Sequence, residues 1–241
     1  KDIPVLYKKN ETNDIFELTY LYDMGNRHDK ALGTAVDYLE YLGTSDMTPE
    51  EVKSQFHQMG CGFSVTTGGE RTRVSLSGLN ENMPQALALL EKLLGDAQVN
   101  KEAYINMVND ILKSRRNAKL NQSQNFSRLN LYAQWGPKNN ATNLLTEAEL
   151  LGMNPQELVD RVRHLSDYKH RIIYYGPSSE SEVLAVLEKE HQTPDALKEI
   201  PAGVEFKQQI TNETKVFLAP YEAKQIYMSQ ISNRGETFDA A

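Results

Sequence analysis

The sequence is short of the features that most often announce a function. It has one cysteine, Cys61, so no disulfide can form within the chain. No apolar run approaches the roughly eighteen residues that a membrane-spanning helix requires, and the opening KDIPVLYKKN has none of the character of a signal peptide. Charge of one sign is nowhere massed. The net charge is -7, with the acidic residues spread along the chain, which argues against nucleic acid or an anionic membrane as a partner. The one tryptophan, Trp135, reads as a packing residue. Glycines cluster at Gly68-Gly69-Glu70, but this turn joins two strands and lacks the helix and lysine of a phosphate-binding loop. His164 and His170 have no second metal-type partner nearby in sequence and read as surface or hydrogen-bonded histidines.

What is present is an ordinary globular composition, 39% apolar and 24% charged over 241 residues, enough for one large or two small domains. The start on a charged dipeptide and the end on ETFDAA read as the edges of a piece of something larger. Residues 15–23 alternate as a strand, and residues 33–44, GTAVDYLEYLGT, carry Val36, Leu39 and Leu42 at three-residue spacing as a helix. Thr48, Pro49 and Glu51 open a second helix that Gly60 stops. Residues 61–67 and 71–79 form the arms of a hairpin, and Met83, Ala86, Leu87, Leu90, Leu93 and Leu94 make the buried stripe of the next helix. A long helix follows over 101–116, with Ile105, Val108 and Leu112 as its stripe, and another covers 121–135. Asn154-Pro155 opens a further helix, HRIIYY is a short strand, residues 181–189 are helical, and the proline-containing stretch from 193 is a linker.

The helix over 33–44 puts Asp37, Glu40 and Tyr41 on the face beside its apolar stripe. This wording resembles the zinc-binding helix of the pitrilysin/insulinase family of metallopeptidases, the inverzincins, whose H-x-x-E-H motif sits between a small-residue lead-in and a trailing Gly-Thr. Laid on that motif, Asp37 and Tyr41 stand where the two histidines belong and Glu40 where the glutamate belongs. The family's third ligand, a glutamate from a later helix, has no counterpart over 101–116, where Glu102 falls one turn early and Asp110 is nearest the expected place. The motif works through two neutral imidazoles that hold zinc while the glutamate takes a proton from the metal-bound water, so this stretch is expected to bind no metal and to cleave no peptide.

The resemblance runs over residues 5–177 and implies an α+β fold: an antiparallel-rich mixed sheet flanked by helices, the repeated domain of pitrilysin-type metallopeptidases. Residues 215–235 repeat the plan of residues 5–25, an apolar arm, a polar turn and a longer alternating arm closing on Gly. The expected organisation is thus a degenerate domain over 1–192, a linker over 193–212 and the first hairpin of a following repeat over 213–241. In long members of the family four such domains enclose a chamber, and the second half contributes wall and substrate contacts. What the resemblance implies here is a non-catalytic portion of a zinc metallopeptidase. Its partners would be the remaining domains, one of them holding zinc, and a peptide substrate, and its compartment extracytoplasmic in a bacterium, such as the periplasm. The family's substrate strand matches residues 61–67, where Gly62, Ser64 and Thr66 are small on one face and would let a peptide backbone approach, or would simply form the solvated side of an edge. A freestanding peptide-binding or partner subunit of a processing peptidase would carry the same residues, and an unrelated α+β scaffold would lack the repeat.

Overall fold

Alternating apolar residues build the sheet. In the computed structural model, which describes residues 3–222 and 224–232, strands β1 (Val5–Lys9), β2 (Ile15–Tyr22), β3 (Cys61–Thr67), β4 (Thr72–Leu79) and β5 (Arg171–Gly176) form one five-stranded sheet in the order β1-β5-β2-β4-β3. Phe16, Leu18, Tyr20 and Tyr22 of β2, Thr72, Val74 and Leu76 of β4, and Ile172 and Tyr174 of β5 point to one buried face. On the other face Ile15, Ile173 and Tyr175 lie exposed, while Leu21 is buried. The sheet is mixed, with β1 parallel to β5 and every other pair antiparallel.

Among the described residues eight α-helices accompany the sheet, and all but the fifth bury side chains against the core. They are α1 (Leu32–Leu39), α2 (Pro49–Gln58), α3 (Met83–Asp96), α4 (Lys101–Lys119), α5 (Gln122–Trp135), α6 (Glu147–Gly152), α7 (Pro155–Arg163) and α8 (Glu180–Glu190). Their starts follow from local chemistry. Thr48, Thr146 and Ser179 each close a capping box with the Glu three residues on, and Asn100, Asn121 and Asn154 accept N-cap hydrogen bonds. Met83, Ala86, Leu87, Leu90 and Leu93 of α3 are buried as the periodicity predicts. On α4 the stripe is rotated from the expected one: Tyr104, Met107, Val108 and Leu112 are buried, whereas Ile105 is 58% exposed. Tyr104 takes the inward place because its hydroxyl finds a partner there, donating to Leu150 O at 2.7 Å.

One sequence expectation does not hold. Residues 5–25 are not a hairpin, because β5 lies between β1 and β2. Tyr7 stacks on Tyr174 at 5.7 Å, and Asn10 folds the connection on itself, its side chain bonded to Asn13, Thr12 and Ile15 O. The supposed repeat over 215–235 forms no strand among its described residues; 223 and 233–235 lie outside them. A lone hairpin without a sheet to join is marginal, and Val216, Leu218, Ile226 and Met228 are each at least 79% exposed. The stretch from 193 to 212 has no helix or strand and lies against the domain. Lys198 bridges to Tyr168, Val204 N–H donates to Arg27 O, and Gln209 N–H donates to Gln134 O.

Candidate functional site: a sheet edge beside a degenerate zinc helix

Helix α1 is shorter than the predicted 33–44. It ends at Leu39, where the backbone tightens to i→i−3 bonds: Tyr41 N–H donates to Tyr38 O at 3.0 Å and Leu42 N–H to Leu39 O at 3.1 Å. Gly43 then passes so close to Met47 O that a Cβ on it would come within 2.1 Å, which turns the chain into the Thr48 cap. The motif frame therefore straddles a helix end instead of lying within a helix. Leu32, Ala35, Val36, Tyr38 and Leu39 face the core, while Asp37 and Glu40 are exposed and Tyr41 is 45% exposed. Partial burial and the neighbouring Glu40 carboxylate push the Asp37 carboxyl above its ordinary value.

The helix that would supply a third ligand is held close to α1. Tyr38 donates to Asn100 O at 2.6 Å and accepts from Asn100 N–H at 3.0 Å, and its ring meets Tyr104 edge-on at 5.5 Å. Yet Glu102 and Asp110 both lie on the exposed side of α4. Among the described residues no group of three or more His, Cys, Asp or Glu side chains could hold a metal ion. The donors at positions 37, 40 and 41 do not fit zinc, since the paired imidazole nitrogens are absent.

The substrate-type residues fare differently. Strand β3 is an edge of the sheet, as predicted, and Gly62, Ser64 and Thr66 are all exposed. A cleft of about 380 Å³ lies between the end of α1, helix α2 and this edge. Glu40, Gly62 and Ser64 line it together, with Lys53 and His57 of α2 and an apolar floor that includes Phe56 and Phe63, whose rings are 4.8 Å apart. Asp37, Tyr41 and Thr66 do not line it.

The ladder fixes which backbone groups are free. Leu79 N–H donates to Gly60 O at 3.2 Å and Gly68 N–H to Arg71 O at 2.8 Å, and both bonds share the register that pairs Ser64 with Ser75. In an antiparallel pair such bonds recur at every second residue, so Gly62, Ser64 and Thr66 direct N–H and C=O at β4. Cys61, Phe63, Val65 and Thr67 direct theirs away from the sheet. The small residues thus shape the open face of the edge, and the groups that could bond an added strand belong to their neighbours. Sequence alternation gives the two faces of β3, but this parity becomes visible only once the bonds around the Gly68-Gly69 turn are known. Lys53 and His57 carry no sequence signal of their own beyond a polar helix surface.

This two-layer arrangement is similar in fold to domains of pitrilysin-type, or M16, peptidases of known structure. The periplasmic protease PqqL of Escherichia coli aligns over 85% of the chain with TM-score 0.73 and 13% identity. A peptidase M16 inactive domain from Pseudomonas fluorescens aligns over 84% with TM-score 0.67 and 18% identity. A protease from Helicobacter pylori aligns over 86% with TM-score 0.63 and 13% identity. At such identities the likeness is one of fold. The chain spans 23%, 52% and 50% of those three chains respectively. No protein-family model matches the sequence, and no curated protein matches it.

Proposed function

We propose that the chain is a non-catalytic portion of a pitrilysin-like zinc metallopeptidase and forms part of the wall of its peptide-enclosing chamber. The observation that carries this reading is an M16 domain fold in which the zinc-motif frame holds Asp37, Glu40 and Tyr41 at a helix end. Without a metal there is no activated water, and the cleft holds no nucleophile paired with a base. What its edge can do is bind: Cys61, Phe63, Val65 and Thr67 offer a row of backbone donors and acceptors to an extended peptide, with the Phe56 and Phe63 rings as an apolar floor. Zinc and the chemistry it supplies belong, in this reading, to another domain of the parent chain. The extracytoplasmic setting is part of the proposal, in keeping with the periplasmic PqqL.

The test is a titration of the isotope-labelled chain with extended peptides, together with metal analysis after dialysis. The expected result is amide shifts confined to residues 60–68 and no stoichiometric zinc. One zinc per chain would refute the non-catalytic reading, and unmoved amides at millimolar peptide would remove the peptide contact and leave a plain wall. A second reading is a freestanding non-catalytic peptide-binding or partner subunit of a processing peptidase. It draws support from the Pseudomonas fluorescens structure, an inactive domain of which this chain would make up 52%. An H-x-x-E-H motif in the same gene would decide for the enzyme.

A further inference from the structure

The sheet has two open edges, and they are not defended alike. Strand β1 is five residues long and ends in the exposed Lys8 and Lys9, charges of the kind that keep an edge strand from pairing. Strand β3, seven residues reading CGFSVTT, has no charge and no proline, and Cys61, Phe63, Val65 and Thr67 direct their backbone groups away from the sheet. Phe63 and Val65 are only half-buried, because the cleft beside α2 leaves their outer sides uncovered.

The same chain carries a stretch with the complementary need. Residues 225–232, QIYMSQIS, have no charge, proline or glycine and alternate as a strand does, yet in the described structure they belong to none. They lie along α5, where Gln122 Nε2 donates to Gln225 O at 2.7 Å and the Tyr227 ring meets Phe126 at 5.5 Å. Ile226 and Met228 are 94% and 90% exposed, more than any other large apolar side chain among the described residues. None of these residues lines the cleft within one copy.

We propose that residues 225–232 of a second copy of this chain add to β3 as a sixth strand. The inference rests on the reading of β3 as a strand-accepting edge and names its occupant. Antiparallel addition sets Met228 opposite Phe63 and Ile226 opposite Val65, in the pairs that exchange N–H and C=O bonds. Residues directly opposite share a face, so both side chains enter the cleft beside the Phe56 and Phe63 rings, against which a thioether packs well. The same register sets Tyr227 opposite Ser64 on the open face, diagonal to Gly62, around whose missing Cβ nothing stands within 4 Å. An aromatic ring covers such an edge glycine without a clash. Neither stretch carries a charge that the pairing would bury.

Sedimentation of the full chain from micromolar to millimolar concentration reads the assembly, and amide exchange reads the edge. Association is expected, with exchange at Cys61, Phe63, Val65 and Thr67 slowing as concentration rises, whereas Gly62, Ser64 and Thr66, already bonded to β4, change little. The double variant Ile226→Lys, Met228→Lys alters exposed positions and should leave the single chain folded while weakening association on the order of a hundredfold, since it sets two charges in an apolar cleft. Val65→Pro should weaken it from the other side, and mixing the two variants should restore a one-to-one pair, one supplying the stretch and the other the edge. Should Val65→Pro not fold, the double variant and the exchange profile decide alone. A wild-type chain monomeric at millimolar concentration, edge exchange equally slow at every concentration, or a double variant that associates like the wild type would each overturn the proposal. An unrelated extended peptide added to the double variant keeps the two readings apart. Amide shifts over residues 60–68 beside a monomeric wild type would remove the second copy and leave the peptide edge, and no shifts beside a monomeric wild type would remove both.

Discussion

The parity of strand β3 makes a paired proline substitution informative. Ser64→Pro removes an N–H that the ladder commits to Ser75 and leaves the Ser75 carbonyl without its donor. A lost strand bond and an unsatisfied acceptor together cost about 3 kcal/mol, and in a chain of this size that lowers the unfolding midpoint by roughly 6–12 °C. Val65→Pro removes an N–H directed away from β4 and keeps an apolar group over the half-buried floor, so it should cost about 1 kcal/mol. The functional order is reversed. Val65→Pro deletes a donor that an added peptide would use and should abolish peptide-dependent amide shifts while the domain stays folded. Thermal unfolding and peptide titration of the two variants form one experiment. Equal destabilisation by both substitutions would show the register argument to be wrong; a stable Val65→Pro that still shifts its amides with peptide would show that the edge is not where peptides bind.

Three other outcomes are expected. The double variant Asp37→His, Tyr41→His should still retain no zinc after dialysis, since the frame straddles a helix end and α4 turns Glu102 and Asp110 outward; a stoichiometric metal would contradict this. His170 is held neutral by burial with its imidazole lowered to about 4, whereas in the unfolded chain it takes a proton near 6.5. The unfolded state thus binds more protons between those values, and stability should fall by about 3 kcal/mol as pH drops from about 6.5 to about 4, a dependence that His170→Gln should flatten in denaturant titrations. In Gly25→Ala the new Cβ would meet Gly68 O at 2.4 Å and Arg71 N at 2.7 Å, both rigid backbone, so a loss of about 1–3 kcal/mol is expected, and an unchanged denaturant midpoint would refute it.

Element type was legible wherever periodicity and caps agreed. The capping boxes at Thr48 and Ser179 mark their helices in four residues each, and alternation over residues 61–79 gives β3 and β4 with their faces. Pairing was not legible at β1, because nothing local tells residues 5–9 that their partner lies in residues 171–176 and not across the nearest turn. A helix and an edge strand stand where the resemblance to pitrilysin-type domains implies them, but the helix stops earlier than its pattern suggests: Leu42 continues the apolar spacing that Leu39 ends. Of the candidate site, Glu40, Gly62 and Ser64 meet in one cleft, while the groups that would bond a peptide are backbone atoms that no residue type reveals. The buried contact of His191 with His170, 2.9 Å between their Nε2 atoms, and with Glu91 was invisible for a similar reason, since Glu91 and His191 are 100 residues apart and only packing brings them together.

The geometry of α1 separates the residues that hold the fold from those at the motif positions. The residues that stabilise the helix are Leu32, Ala35, Val36, Tyr38 and Leu39, all turned to the core, and Tyr38 adds two hydrogen bonds to Asn100 that orient α4. Positions 37, 40 and 41 lie outside that stripe, exposed, where a substitution typically changes stability by no more than about 0.5 kcal/mol. The packing residues and positions 37, 40 and 41 thus lie on different faces of one helix. Substitutions at 37 and 41 would cost the packing little, whereas replacing Tyr38 by Phe would leave Asn100 N–H unpaired near the core at about 1–3 kcal/mol, with Asn100 O still accepting from Tyr104 N–H. The edge at β3 is independent in the same way, since its β4-facing bonds build the sheet and its outward bonds do not. A domain partitioned like this can change at positions 37, 40 and 41 and along the outward side of β3 without any change in its core.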